Sequence, residues 1–391
     1  MKIKQLSGDF FFTCGAQVVL NAVQHLLIFP WINKVSGPEA AGHILACLSL
    51  VFIFAITFGT GINNVRLVEE RKGTGSNGDY LGIILVGGLF LFLTVLIAKF
   101  IGFDPRVPLG WFFLVNFLMM IRAYGDCDFQ IKLHFSSYFL YYCIISLGYV
   151  LGTFIYFKTN NWTHIFIPGE LAAIVILLLR KFILEFSLPS DKFLYLLKAV
   201  FFLFLSTAMM QLVVSGDRLI LKYFLGDRTV AAYASLSLAA NTANLIFIPL
   251  ATLLLSYLTA KTIPLNRRIL GKVSLIWLGI SLTVFIGTVI VSPIYVKLFY
   301  PNLYDEIVSL NILVNFGLVL ACFGLLYRSY IIATASTTVV FIFEFTFTFL
   351  YLVLSILLTK EYGVLGYAWA VVISRFLRAV TGAILTWFFL N

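Results

Sequence analysis

Long apolar runs follow one another along the whole chain, separated by short polar breaks. A helix needs ~20 mostly apolar residues to cross ~30 Å of hydrocarbon. On that length the pattern predicts spans at 9–30, 40–62, 80–102, 109–126, 136–157, 166–184, 199–221, 229–259, 272–294, 306–332, 337–358 and 364–390. The breaks carry turn-forming residues, among them Ser36-Gly37-Pro38, Lys72-Gly73-Thr74-Gly75-Ser76-Asn77-Gly78 and Asp104-Pro105. The first run follows a basic start, as a signal peptide does. It contains Gln17, Asn21, Gln24 and His25 and shows no small-residue cleavage site, so it reads as a retained span.

Two connections look alike. The first span joins the second through Lys34-Val35-Ser36-Gly37-Pro38-Glu39-Ala40-Ala41-Gly42, and the seventh joins the eighth through Tyr223-Phe224-Leu225-Gly226-Asp227-Arg228-Thr229-Val230-Ala231-Ala232-Tyr233. Each is a glycine-led turn, an acidic residue and then small residues opening a long helix. The predicted fold class is therefore an all-α integral membrane protein, with about twelve transmembrane helices in two six-helix lobes, 1–190 and 191–391.

Composition narrows the function classes. Of 391 residues, 61% are apolar, 11% are charged and 40 are Phe, which suits a lipid-facing surface and not a soluble one. With the N-terminus cytoplasmic, sixteen Lys and Arg fall at inner loops and helix ends, Arg122 and Arg328 included, against nine on the other side. That bias predicts cytoplasmic termini. It also accounts for much of the net charge of +10, leaving no need for a nucleic-acid partner. The five cysteines show neither CxxC nor zinc spacing and read as apolar fillers. Asn161-Trp162-Thr163 matches a glycosylation sequon, which has meaning only in a eukaryotic cell. Phosphate-loop, HExxH and GxSxG signatures are missing from the sequence, and its histidines, His25, His43, His134 and His164, are scattered. With no loop beyond ~20 residues on the span lengths above, a soluble catalytic domain is not expected, nor a cofactor or metal.

Function is then expected inside the bilayer, where polar residues are expensive. Gln17, Asn21, Gln24 and His25 share one helical face, as do Thr207, Gln211, Ser215 and Arg218, with Asp217 beside them. Ser237, Asn241 and Asn244 repeat the spacing, and the second span ends in Asn63, Asn64 and Arg66. Each stripe alone suits ordinary interhelical hydrogen bonding, worth ~0.6 kcal/mol per contact. Four stripes, on the first, second, seventh and eighth helices, fit a polar cavity between two halves better. Arg375 and Arg378 lie an i, i+3 step apart deep in the last span, with Glu344 two turns into the one before and Glu170 one turn into the sixth. A Glu344 partnership with Arg375 or Arg378 serves either as a structural ion pair or as an anion or proton site. Asp217 and Arg218 divide in the same way between a local pair and a gate.

Four stretches carry a family resemblance. SGDRLILKYFLGDRTVAAYA at 215–234 resembles the start of the second half of bacterial polysaccharide flippases, which belong to the multidrug/oligosaccharidyl-lipid/polysaccharide (MOP) exporter superfamily. GTGINNVRLVEERK at 59–72 is similar to the end of their second helix, RAYGDCDFQIKLHF at 122–135 to their turn between helices 4 and 5, and GVLGYAWAVVISR at 363–375 to the opening of their final helix. The chain departs from the family in its shorter loops.

The resemblance implies a MOP/MATE-like fold. It implies transport of an undecaprenyl-diphosphate-linked oligosaccharide from the cytoplasmic to the outer leaflet of the bacterial inner membrane, for O-antigen or capsule assembly. Polysaccharide-assembly proteins are then expected partners, beside the lipid-linked substrate and the bilayer. The implied substrate contacts are Gln17, Asn21, Gln24, His25, Asn64, Arg66, Gln211, Arg218, Asn241 and Asn244, with Arg375 and Arg378 as second-rank anion contacts. Glu344 and Asp217 are the carboxylates expected to couple transport to H+ or Na+. Two rivals share the helical architecture. A drug or cation antiporter of the superfamily is expected to hold more acidic residues within its helices. A polysaccharide polymerase, an enzyme, is expected to carry a large outer loop.

Overall fold

The structure is a computed structural model that describes residues 3–70, 76–180, 182, 187–259, 266–335 and 337–389. Much of the predicted Lys72–Gly78 connection, and the inner-side charges Lys2, Arg71, Lys72, Lys181 and Lys261, lie outside those residues. All regular structure among the described residues is helical. Helix α1 covers 3–36 and α2 covers 38–70, each interrupted by a π-helical stretch, Val23–Ile28 and Val51–Ile56. There follow α3 (Asn77–Phe100), α4 (Leu109–Ile131), α5 (Phe135–Thr159), α6 (Ile167–Leu179), α7 (Phe193–Leu225), α8 (Asp227–Thr259), α9 (Arg267–Phe299) and α10 (Asn311–Thr334). Thr337–Phe389 is continuous apart from Gly363, whose φ of 60° and ψ of −140° divide it into α11 (337–362) and α12 (364–389). That backbone conformation is open essentially to glycine alone. Without the break, the run would be a rod of roughly 80 Å, far longer than the hydrocarbon is thick.

Eight stretches of the described helices are long and apolar enough to cross a membrane, and the chain is a multi-pass integral membrane protein. Helix α4 is not among the eight; Arg122, Asp126 and Asp128 interrupt it. Nor are α6, an apolar helix of only 13 residues, and α8, several of whose side chains lie outside the described ones, while α11 and α12 form one stretch between them. The described breaks at Ser36–Pro38 and Asp104–Pro105 lie where the pattern predicted them. Gly37 and Gly226, leading the two similar turns, both take positive φ, 89° and 87°.

The chain groups into two compact units. Unit 1 comprises 1–32 and 46–215; unit 2 comprises 33–45 and 216–391. In unit 1 the start of α3 is fixed by a capping box. Ser76 Oγ accepts from the Asp79 N–H, and Asp79 Oδ2 accepts from the Ser76 N–H at 2.8 Å. The same carboxylate, fully buried, accepts from the Ser190 N–H at 2.6 Å and its hydroxyl at 2.7 Å. One side chain thus ties the entry to α3 to the entry to α7.

Unit 2 solves a backbone problem across helices. Pro293 interrupts α9. A proline has no N–H, so the carbonyl four residues back loses its helical donor. That carbonyl belongs to Val289, and the amide of Asn311 on α10 donates to it at 2.8 Å. Asn315, one turn on, donates in turn to the Asn311 carbonyl at 2.9 Å and accepts from the Ser292 hydroxyl at 3.2 Å. Trp277 of α9 sits among Phe247, Leu326 and Tyr330 and donates its indole N–H to the Cys322 carbonyl at 3.0 Å.

A double-mutant cycle tests this repair. Asn311→Leu should leave the Val289 carbonyl unsatisfied and destabilise the purified protein by about 1–3 kcal/mol. In the Pro293→Ala background, where the helix supplies its own N–H, the same change should cost measurably less, read as the shift in thermal midpoint in detergent.

Candidate functional site

A cavity of about 180 Å³, lined by polar and apolar side chains together, lies within unit 1 among α1, α2, α4 and α5. Gln17, Asn21 and Gln24 of α1 face it from one side, opposite Arg122 and Asp126 of α4 and Tyr142 and Tyr149 of α5. The three α1 amides are the stripe predicted from spacing. His25 is not among the lining residues. Like Gln24 it falls in the π-helical stretch, and its ring packs on Phe29 at 5.3 Å.

Behind the amides is a buried network that spacing arguments on α1 do not reach. Arg122 Nε donates to both Glu170 oxygens at 3.0 and 3.1 Å, and its Nη1 donates to Tyr142 Oη at 3.1 Å. Tyr142 and Tyr138 hydroxyls donate to Asp126 Oδ2 at 2.9 and 3.3 Å, and Gln17 Nε2 donates to Tyr138 Oη at 3.2 Å. Tyr149 donates to Glu170. Glu170 is fully buried and Arg122 nearly so. Asp126 Oδ1, also buried, has no hydrogen-bond partner among the described residues.

Helix packing makes this possible. A Cβ on Gly148 would lie 2.4 Å from the Gly169 Cα, so the α5 and α6 backbones approach as only small residues allow. That approach brings Glu170, next to Gly169, against Tyr149 and Arg122. Arg122 corrects a sequence expectation: counted with the charges at an inner helix end, it is a buried residue of α4, which continues to Ile131 beyond the expected end at 126. The Lys/Arg bias keeps its sign without it. The missed signals were present in the sequence. Arg122 and Asp126 are four apart, and α5 carries Tyr138, Tyr142, Ser146, Tyr149 and Thr153 on one stripe, all buried.

The other candidates have local partners. Arg66 is enclosed by aromatic rings, its guanidinium 4.3 Å from the Phe182 centroid and 4.9 Å from that of Tyr80, and it donates to Tyr124 Oη and, at 2.6 Å, to Asn77 Oδ1. Asn64 is exposed, while its neighbour Asn63 is buried and donates to the Ala123 carbonyl at 3.4 Å. Gln211 donates to Ser215 Oγ at 2.8 Å, and Asn241 to Ser237 Oγ at 3.4 Å, each within its own helix. The side chain of Asn244 lies outside the described ones.

Unit 2 holds the charged candidates. Asp217 is buried and accepts the backbone N–H of Arg218 at 2.8 Å. The Arg218 Nε is buried without an acceptor among the described residues. Arg375 Nη1 donates to the Gly317 carbonyl at 3.3 Å. Glu344 pairs with Arg378, whose Nη2 lies 2.9 and 2.7 Å from the two carboxylate oxygens. Arg328, expected at an inner helix end, is a second partner: its Nε is 2.8 Å from Glu344 Oε1. Glu344 also opens a stripe down α11 through Thr348, Tyr351, Ser355 and Thr359, all buried, with Tyr351 and Tyr367 hydroxyls 2.5 Å apart.

This architecture has the same fold as several solved membrane proteins. It aligns with an inward-facing multidrug resistance MATE family transporter of the MOP superfamily over 95% of both chains, with a TM-score of 0.74 at 16% identity. It aligns with the lipid II flippase MurJ, in an inward closed conformation, over 98% of this chain and 87% of that one, with a TM-score of 0.71 at 14% identity. A MATE in complex with MaD3S gives 0.65 at 18% identity, over 98% of this chain and 94% of that one. No family model and no curated protein sequence matches the chain. At these identities the likeness establishes the fold.

The buried pair of unit 1 yields a direct test. Glu170→Gln leaves the Arg122 charge without its carboxylate and should destabilise the protein by about 3–5 kcal/mol. The double variant Arg122→Gln/Glu170→Gln, which removes both charges, should recover a large part of that loss in thermal midpoint.

Proposed function

We propose that the chain is a flippase that carries an undecaprenyl-diphosphate-linked oligosaccharide, an O-antigen or capsule repeat unit, from the cytoplasmic to the outer leaflet of a bacterial inner membrane by alternating access. In this reading the chain crosses the bilayer twelve times, as two six-helix halves at 1–190 and 191–391, with both termini cytoplasmic. The observation that carries the reading is the unit 1 cavity, where Gln17, Asn21 and Gln24 present neutral amides beside tyrosine hydroxyls. Amides both donate and accept hydrogen bonds, which suits a head rich in hydroxyls. A fold shared with a lipid II flippase supports the same reading. Arg218, with a buried Nε lacking an acceptor, suits the diphosphate. His25, Asn64, Arg66, Gln211, Asn241 and Asn244 stay in the proposal as contacts of other conformations, and polysaccharide-assembly proteins as partners.

A second reading, a drug or cation antiporter, is favoured by Asp126, whose unpartnered oxygen belongs to a carboxylate facing the same cavity. Proton or sodium coupling belongs to either reading. Asp217 and Glu344 are its proposed carboxylates, although two arginines already occupy Glu344.

Proteoliposomes distinguish the two. The protein should make a labelled polyprenyl-diphosphate oligosaccharide accessible on the opposite face, and Gln17→Leu/Asn21→Leu should slow this by about tenfold, or 1.4 kcal/mol. Transport of a cationic dye without movement of the glycolipid would give the antiporter instead. If glycolipid movement survives Glu344→Gln/Asp217→Asn and a collapsed gradient, coupling through those carboxylates is excluded.

A further inference from the structure

Between Asn311 and Phe389 the chain places three arginines and one carboxylate in the middle of helices, Arg328, Arg375 and Arg378 against Glu344. Lys360 and Glu361 balance each other beside the Gly363 break. The excess is positive, and an uncompensated charge in hydrocarbon is expensive.

The geometry shows how the excess is held. Arg328 of α10 and Arg378 of α12 reach the same Glu344 carboxylate from two neighbouring helices. Glu344 engages only Nη2 of Arg378, so Nε and Nη1 keep donors that meet no acceptor among the described residues. The three side chains are not sealed: Arg328, Glu344 and Arg378 are 29%, 18% and 23% exposed. Arg328 lies six residues before the end of α10 and Glu344 seven after the start of α11. At 1.5 Å per residue, both are about 10 Å from the α10–α11 connection. That depth is shallow enough for the phosphate of a lipid in the adjoining leaflet.

We propose that Arg328 and Arg378, spread on Glu344, form a docking point for the phosphate or diphosphate of a lipid. Planar guanidiniums fit phosphate oxygens two at a time, and a pair already fixed on a carboxylate needs little reordering to accept them. Glu344 holds the arginines apart when the point is empty and opposes the arriving anion when it fills. Arg375, one turn along α12 and bonded to a neutral carbonyl, offers the next cation. This assignment rests on the flippase reading only for the identity of the lipid.

The test uses the full chain in nanodiscs and a sugarless polyprenyl diphosphate, with binding read by native mass spectrometry. Arg378→Gln and Arg328→Gln should each weaken binding about tenfold, and Glu344→Gln should tighten it. Arg378→Gln/Glu344→Gln, which keeps the local charge, should bind better than Arg378→Gln and guards against misfolding as the cause. Competition by inorganic pyrophosphate supports phosphate recognition by the arginines; its failure, with the arginine effects intact, supports a site that requires the lipid. Equal binding of polyprenol, which lacks any phosphate, would overturn the proposal. So would arginine variants that lower the thermal midpoint while binding the diphosphate like wild type. Arginine-dependent binding without oligosaccharide movement would leave this site standing and remove the glycan reading.

Discussion

Charge in hydrocarbon is the constraint that orders this structure. An ionised side chain there must find a counter-charge, a ring of donors or water, because lipid supplies none. Each solution sets the placement of several helices. Arg122 and Glu170 are tied together across α4 and α6, and their bond requires the close α5–α6 contact at Gly148 and Gly169. Glu344 draws α10 and α12 to α11 through one arginine from each. Arg66 lies among the faces of Tyr80, Tyr124 and Phe182. Rings supply a weaker attraction than a carboxylate but suit a planar guanidinium.

The charges set inside the helices are balanced differently in the two units. Around the unit 1 cavity, two carboxylates face one arginine, with tyrosine hydroxyls donating to both acids. In unit 2, the arginines set well inside helices, Arg218, Arg328, Arg375 and Arg378, outnumber the carboxylates placed likewise, Asp217 and Glu344, and the hydroxyl-bearing stripe of α11 runs away from the Glu344 cluster.

The fold was legible because apolar run length is a one-dimensional property. Each run of about twenty residues states its own helix, and the glycines at 37 and 226 marked turns without reference to tertiary structure. The α1 amide stripe of Gln17, Asn21 and Gln24 was legible for the same reason, since it repeats at helical spacing. The π-helical stretch that holds both Gln24 and His25 was not, because nothing in Val23–Ile28 announces one. Arg122 was misassigned because a charge near an expected helix end resembles a loop charge. Only the counter-charge forty-eight residues away shows that it is buried. Arg328 was missed likewise: pairing across helices is not written in either helix alone. Spacing could have offered Arg122 with Asp126 and the tyrosine stripe of α5, which together describe half the network.

The repair at Pro293 has a mechanical consequence. A proline inside a helix ordinarily leaves a hinge, because the missing bond makes bending cheap. Here the orphaned carbonyl of Val289 is gripped by Asn311 at the first turn of α10, and Ser292 beside the proline reaches Asn315. The flexure of one helix is therefore geared to the next. Bending α9 without moving the head of α10 would break both bonds. The pair can swing as a linked crank, and a deformation begun at one end of α9 arrives at α10 as displacement rather than as slack.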